Sequence, residues 1–341
     1  MQLIPYRLVD KQFWLRWNEI NETSFGAHPL LQARFVVPML EHFADGFSVL
    51  LDGGQSDFQN AILLDTKRRF GNLIATGVNP PQSQINLSLI GDNGENFLTQ
   101  ALRALGHSVQ RLDLFFVDER YQPALASHTA QTERSPKGTN MSVEIQGAFD
   151  DYWKARPKNL RKNISRYLNR AEREGAELEF KQITDRDSLP LAIARYGMLE
   201  SQGWKGLQGT AIHPGNQQGI YYETALLDYA TTGDACVYEL WSEDKLIASR
   251  LCIGNDKMLI PLKTTFDENS RNLAPGRLLL WHILKELFAH RRYEVMEFYT
   301  SATKEQIEWS TSTRNTTAMS LYKAVPYSLV TAMRGSQKAD S

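Results

Sequence analysis

Cysteine is almost absent from this chain: two thiols, Cys236 and Cys252, stand sixteen positions apart among 341 residues. That count excludes a disulfide scaffold, and the spacing matches no metal-ligand pattern. Both lie in apolar, strand-like runs and read as buried free thiols of a protein kept in a reducing compartment. Long apolar runs are lacking too. Nothing approaches the ~20 residues of a membrane span, and Met1 to Arg7 has no apolar signal core. The expectation is a cytoplasmic protein without a membrane span. Neither sign of charge is in excess: 38 Lys and Arg stand against 39 Asp and Glu, a formal net charge of -1. A nucleic-acid binder held by bulk charge is thereby disfavoured, although a local basic groove is not. Neither Gly-x-Gly-x-x-Gly nor a Walker sequence occurs. No side-chain nucleophile set and no metal-ligand set is visible, so no metal is expected.

The hydrophobic fraction of 42% and charged fraction of 23% are ordinary for a globular protein. A length of 341 residues exceeds the usual need of one core, so two domains or a duplicated unit are expected. In the first half, helical spacing covers Phe13–Ile20, Leu31–Phe43 and Glu95–Leu105. Short strands are predicted at Phe47–Leu51, Gln84–Leu89 and Arg111–Val117. Asn60–Leu64 and Gly71–Val78 read as a hairpin around the charged turn Lys67-Arg68-Arg69. Pro123–Asn140, rich in Ser, Thr, Pro and Gly, reads as a long surface loop: a lid, a mobile segment or a docking segment. From Val143 the order changes. A helix over Pro157–Gly175 precedes a strand at Glu177–Ile183 and helices at Ser188–Gln202 and Gly219–Ala230. Three strands follow at Ala235–Trp241, Lys245–Gly254 and Met258–Phe266. A helix opening at Pro275, a strand at Val295–Thr300, a short helix near Lys304 and a strand pair from Thr316 complete the chain. The expected division is 1–142, 143–333 and a disordered tail, 334–341. The fold class is α/β (α+β), ordered like an acyltransferase unit rather than a Rossmann domain.

The most informative segment is Ala274-Pro275-Gly276-Arg277, with Leu278 behind it. Pro in a first helical turn loses no hydrogen bond. Gly lets the backbone approach a ligand, and a helix start offers free N–H groups to phosphate. The segment is either a pyrophosphate cradle or an ordinary helix start. The helix from Pro157 carries Lys158, Arg161, Lys162, Arg166, Arg170 and Arg173, either a solvated face or an attractor of anions. Arg161 and Lys162 are the better phosphate candidates. Between Leu199 and Ile212, Trp204 and Lys205 stand among glycines and suit a sugar or acyl-carrier acceptor, with Glu200 one turn back as a base. The plain alternative is a helix end anchored by a buried Trp204. Lys263 and Asp267 flank the strand end before the turn, as reacting groups or as a surface pair. His213 reads as structural rather than catalytic. Arg314, beyond Trp309, suits a phosphate or carboxylate.

Four segments in this order resemble the CelD-like, or BioF2-like, acetyltransferase family of the GNAT superfamily, related to FemAB and FemX. They are the Leu160-Arg161-Lys162 helix ending at Glu174-Gly175, the Leu199–Ile212 run, Lys263–Glu268, and Pro275-Gly276. The resemblance spans about residues 149 to 310 and is looser before that, through Trp17 and His28–Phe43. It implies a tandem GNAT-like fold, mixed sheets flanked by helices, whose first unit is degenerate and whose second binds acetyl-CoA or another acyl-CoA at the Pro-Gly turn. Lys263 and Ala274 to Leu278 would hold that co-substrate, and Arg161, Trp204, Lys205, Trp309 and Arg314 the acceptor. Glu200 or Asp267 would take a proton. Tyr322 would be a general acid if Asn315–Lys323 were a helix, although Thr316 and Thr317 favour a strand. The pattern departs from the family at Ile307-Glu308-Trp309, where a Tyr-Lys pair is usual. Three functions stay open: an acyl-CoA-dependent N- or O-acyltransferase acting on a sugar, polysaccharide or cell-envelope precursor; a FemX-like aminoacyl-tRNA-dependent transferase; or a non-catalytic binding or scaffold protein. Either a monomer or a homodimer is compatible.

Overall fold

A computed structural model describes residues 1–69, 72–91, 95–118, 120–121, 132–203, 211–213, 215–299 and 301–323. Two compact units emerge: Met1–Thr139 together with Arg314–Ser341, and Asn140–Thr313. The first contains, in chain order, β1 (Gln2–Pro5), α1 (Lys11–Phe25), α2 (Ala33–Phe43), β2 (Ser48–Leu51), β3 (Ala61–Arg69), β4 (Asn72–Gly77), β5 (Leu89–Ile90), α3 (Glu95–Ala104), β6 (Val109–Asp118) and the start of β7 (Thr132–Glu144). Asp10 begins α1 by accepting the Gln12 and Phe13 N–H groups, and Gly26 at φ 62° ends it. One core joins Leu50, Ile62 and Leu64 to Phe97, Leu98, Leu112 and Leu114.

The second unit holds the end of β7, α4 (Phe149–Lys154), α5 (Lys158–Arg173), β8 (Leu178–Ile183), α6 (Leu189–Gln202), α7 (Gln217–Ala230), β9 (Ala235–Ser242), β10 (Lys245–Gly254), β11 (Met258–Phe266), α8 (Pro275–His290), β12 (Val295–Phe298) and α9 (Lys304–Ile307). The last strand, β13 (Ser312–Tyr322), lies within the first unit from Arg314 onward. Strand order in the first unit is β1-β2-β3-β4-β6-β13-β7, with β5 on β3; in the second it is β7-β12-β11-β10-β9-β8. The second sheet is mixed, since only β11 and β12 run parallel. The period-2 pattern separates its faces. Cys236, Tyr238, Cys252 and Met296 join Leu160 and Ile164 of α5 and Leu279 and Ile283 of α8 in one core. Glu239, of opposite parity, meets Arg195 of α6.

Four expectations need correction. Lys67-Arg68-Arg69 is not a turn but the end of β3, which pairs with β4 as far as Arg69↔Asn72. The expected loop Pro123–Asn140 contains strand from Thr132, because β13 lies beside it and Thr316 Oγ1 donates to Gly138 O; residues 122–131 lie outside the described residues. Gln84–Ser88 is buried chain without strand pairing, tied by Asn86 to the Phe115 carbonyl. The expected strand pair from Thr316 is, as far as residue 323, the single strand β13, and it departs from the second unit that was expected to reach residue 333.

Candidate active site

In the second unit β11 and β12 pair only at Met258↔Val295 and Leu259↔Met296. β11 nevertheless runs on to Phe266 and β12 to Phe298. Parallel strands that stop pairing while both continue leave a wedge edged by main-chain polar groups. The other edge of β11 stays paired to β10, but through a bulge: Leu251 faces Lys263 while Cys252 faces Pro261, leaving Leu262 opposite no residue.

The end of β11 leads to a sharp turn. Asp267 caps a short 3-10 segment, Glu268–Leu273, and Ala274, at φ 49° and ψ 55°, swings the chain into α8. A left-handed residue with a Cβ is strained, and pre-proline position adds to it. Pro275 takes the first helical position, and no side chain caps the start of α8. The corner is open: Ala274, Gly276 and Arg277 are partly exposed, while Pro275 and Leu278 are buried. A Cβ on Gly276 would meet only the Phe266 ring, at 3.6 Å. Room and helix polarity therefore fit a phosphate group here. Arg170 braces the approach by donating to Asn272 O at 2.8 Å, and Asn272 donates to Glu174.

The other candidates have varied surroundings. Lys263 lies on β11 with Nζ 3.4 Å from Gln218 Oε1 and 5.4 Å from the Tyr222 ring centre, pointing away from the α8 face. Arg277 forms an ion pair with Glu305 of α9. Asp267 accepts from Lys245, from Ser270 Oγ and from the Asn269 N–H. Burial alone would raise its carboxyl pKa, but these donors outweigh it and hold the group below the usual carboxylate range. Asp267 is thus a cap and ion-pair partner, a weak base by construction. Glu200 is buried at the end of α6, accepting from Tyr196 OH at 3.1 Å and from the Ile212 N–H at 2.8 Å. It latches the chain at Ile212 to α6. Trp204 and Lys205 lie outside the described residues. His213 Nδ1 accepts from the Gly215 N–H, a local turn contact. Arg161 donates to Arg156 O and lines a shallow groove of about 630 Å³ with Lys158, Lys162, Ser165, Arg166, Asn169 and Arg173.

Three more expected site residues have surroundings of their own. Trp309 is core, packed on Trp153 with its carbonyl accepting from Tyr152 OH, and so has no face for an acceptor. Arg314 belongs to the first unit, where it pairs with the buried Asp118. Tyr322 also belongs there, on a strand rather than a helix, and donates to Glu133. Sequence reasoning overlooked two residues beside the wedge. Arg250 lies in β10 and Glu297 in β12, each buried inside a mainly apolar strand. The available signal was a charge inside a buried run, where charge is costly. Among the described residues no group of three or more His, Cys, Asp or Glu could hold a metal ion, and no helix is long and apolar enough to cross a membrane.

Residues 158–306 match the family described as acetyltransferase (GNAT) domain. No curated protein matches the chain significantly in sequence. Among solved structures, the C-terminal domain of a putative lysylphosphatidylglycerol synthetase from Agrobacterium fabrum is similar at a TM-score of 0.56 and 12% identity, over 96% of this chain and 95% of that one. FemX is similar at 0.55 and 10%, over 97% of this chain and 100% of its own. A tandem GNAT protein from the clavulanic acid biosynthesis pathway gives 0.50 and 14%, over 93% and 97%. With the mixed sheet, the wedge and the Pro-Gly turn already in place, residues 158–306 match a GNAT acetyltransferase domain, and the chain shares the mixed α/β fold of these solved structures.

Proposed function

We propose that the second unit transfers an acyl group from acyl-CoA to an amine or hydroxyl of a small or glycan-like precursor, in the manner of the CelD-like branch that its motifs resemble. The observation that carries this reading is the wedge between β11 and β12 in a unit whose β11 leads to an uncapped helix start at Gly276. The Gly276 N–H of that start, beside an Arg277 N–H that donates to Ala274 O at 2.9 Å, would hold the coenzyme's diphosphate with the helix's positive end behind it. The thioester arm would run along β11, whose main chain beside the bulge at Leu262 offers donors to the developing oxyanion. The acceptor's lone pair forms the new bond to the carbonyl carbon, the carbon–sulfur bond breaks, and the acceptor's proton ends on the sulfur or in solvent. Holding donor and acceptor together supplies much of the rate. Glu200 and Asp267 serve this site by fixing the chain around it.

The test is calorimetric titration of acetyl-CoA into the wild type and Gly276→Glu. The added carboxylate would oppose a phosphate yet suit a helix start, so folding should persist. Tight binding by the wild type, weakened at least about 10-fold in the variant at unchanged Tm, is expected, since one lost charged contact is worth that much. Equal affinity in both proteins, or binding by neither, would count against the site. The basic groove on α5 favours one second reading, an aminoacyl-tRNA donor. Such binding would fall steeply with salt, and a flat response removes it.

A further inference from the structure

Arg250 stands out among the charged residues of the second unit. Its side chain leaves β10 on the face shared with Tyr238 and Thr264, the two residues opposite it in register. It then crosses β11: Nε donates to Thr264 Oγ1 at 2.9 Å, and the guanidinium carbon lies 5.8 Å from the ring centre of Phe298 on β12. The guanidinium therefore bridges toward the two strands whose pairing has stopped. Arg250 is 7% exposed, and its Nη1 is buried without a hydrogen-bond partner among the described residues. No carboxylate of those residues is among its contacts. Its titratable neighbours supply no counter-charge: burial pushes the Cys252 thiol and the Tyr196 and Tyr238 hydroxyls well above their ordinary values, keeping all three neutral. Burial also pulls Arg250 down from its usual range, but a guanidinium starts so high that it stays charged. A buried cation with neither a counter-ion nor a full set of acceptors is costly unless a ligand completes it. A ring face and one hydroxyl compensate only part of that cost.

We propose that Arg250 is an anion receptor beside the wedge, taking a phosphate or carboxylate oxygen of the bound donor through its free fork. The chemistry is the same whether the anion is the coenzyme's phosphate or a distal carboxylate on the transferred acyl chain, as in a succinyl group. Assigning the anion to a donor rests on the acyl-CoA reading above; the receptor itself does not.

The test uses the full chain as wild type, Arg250→Met and Arg250→Lys. Tm is measured with inorganic phosphate and with succinate, and CoA, acetyl-CoA and succinyl-CoA are titrated by calorimetry. A loss of about 10-fold or more in the Met variant, shared by all three coenzymes, assigns the phosphate. A loss confined to succinyl-CoA assigns the acyl carboxylate. Phosphate or succinate should raise the Tm of the wild type and not that of the Met variant. If the wild type binds no coenzyme but keeps this anion response through Arg250, the receptor stands and the acyl-CoA reading falls. A Met variant that answers every anion and every coenzyme like the wild type overturns the proposal, as does a wild type that answers none. Should the Met variant not fold, the Lys variant decides. It keeps the charge without the planar fork, so a partial loss of the same responses supports the receptor and wild-type behaviour rejects it.

Discussion

His28 shows how one buried group sets a property of its unit. It is fully buried, with its ring 4.5 Å from that of Tyr121. Burial first, and then the Arg314 charge, lower its pKa to about 3. The folded form therefore holds His28 neutral while the unfolded chain protonates it near its ordinary value of about 6.5. Its contribution to stability is complete above that value and is lost progressively as pH falls toward about 3, because only the unfolded state gains the proton. At about pH 5 the loss amounts to roughly 2 kcal/mol. His282 in the second unit adds a smaller loss of the same sign, since burial and Lys285 lower it to about 4. Urea unfolding near pH 7 and near pH 5 should show the wild type weakening on acidification. His28→Asn should weaken less, whatever its stability at neutral pH. Parallel slopes in the two proteins would show that His28 does not titrate as its burial requires.

Helices and strands of the second unit are joined by polar contacts as well as by the core. Glu239 on β9 is fully buried and accepts from Arg195 of α6 at 2.9 and 3.0 Å, and from Trp241 Nε1 at 3.0 Å. Removing one member leaves a buried charge unpaired, so Glu239→Ala should cost about 3–5 kcal/mol. Arg195→Met combined with Glu239→Leu should recover most of that loss, because an apolar pair of similar volume needs no desolvation compensation. Denaturant midpoints of the single and double variants measure this; a double variant no better than the single would show that the pair itself, not the orphaned charge, stabilises the contact. Elements of this unit were legible where their signals were local. The three strands from Ala235 carry apolar runs, and the helix from Pro275 announces its start with Pro and Gly. β7 was illegible because Pro136 and Gly138 argue against a strand, and its partner Asn315 stands 176 residues away. The turn at Ala274 was visible for the same local reason. The importance of Arg250 depends on Thr264 and Phe298 across two neighbouring strands, which no window of sequence displays. Trp309 misled in the opposite sense: an indole beside polar residues looks like a ligand platform until its packing on Trp153 is seen.

The two units each contain a parallel strand pair, but the chain beside the pair differs between them. In the first, β4 and β6 pair from Leu73↔Val109 to Thr76↔Asp113. The chain after β4 then returns alongside: the Asn86 N–H donates to Phe116 O and its Nδ2 to Phe115 O, both at 2.8 Å. Ser88 packs so near the end of β4 that a Cβ on Gly77 would stand 2.3 Å from its Oγ. The edge that a thioester arm would need is thus occupied by the protein's own backbone and side chains, which have already satisfied those carbonyls. In the second unit β11 and β12 stop pairing after two residues, and no such return is seen among the described residues. This difference predicts one donor per chain. Calorimetry or equilibrium dialysis with a saturating coenzyme should give a stoichiometry of one, and Gly276→Glu should leave no site of wild-type affinity. A stoichiometry of two, or a residual site in the variant, would mean that the segment from Asn79 to Ser88 yields to the ligand. Displacing it would require breaking the two Asn86 bonds and exposing Ile85 and Leu87, both buried. At about 1.5–3 kcal/mol for each large apolar side chain brought back into water, and about 1 kcal/mol for each hydrogen bond, a second donor would bind at least roughly a thousandfold more weakly than the first.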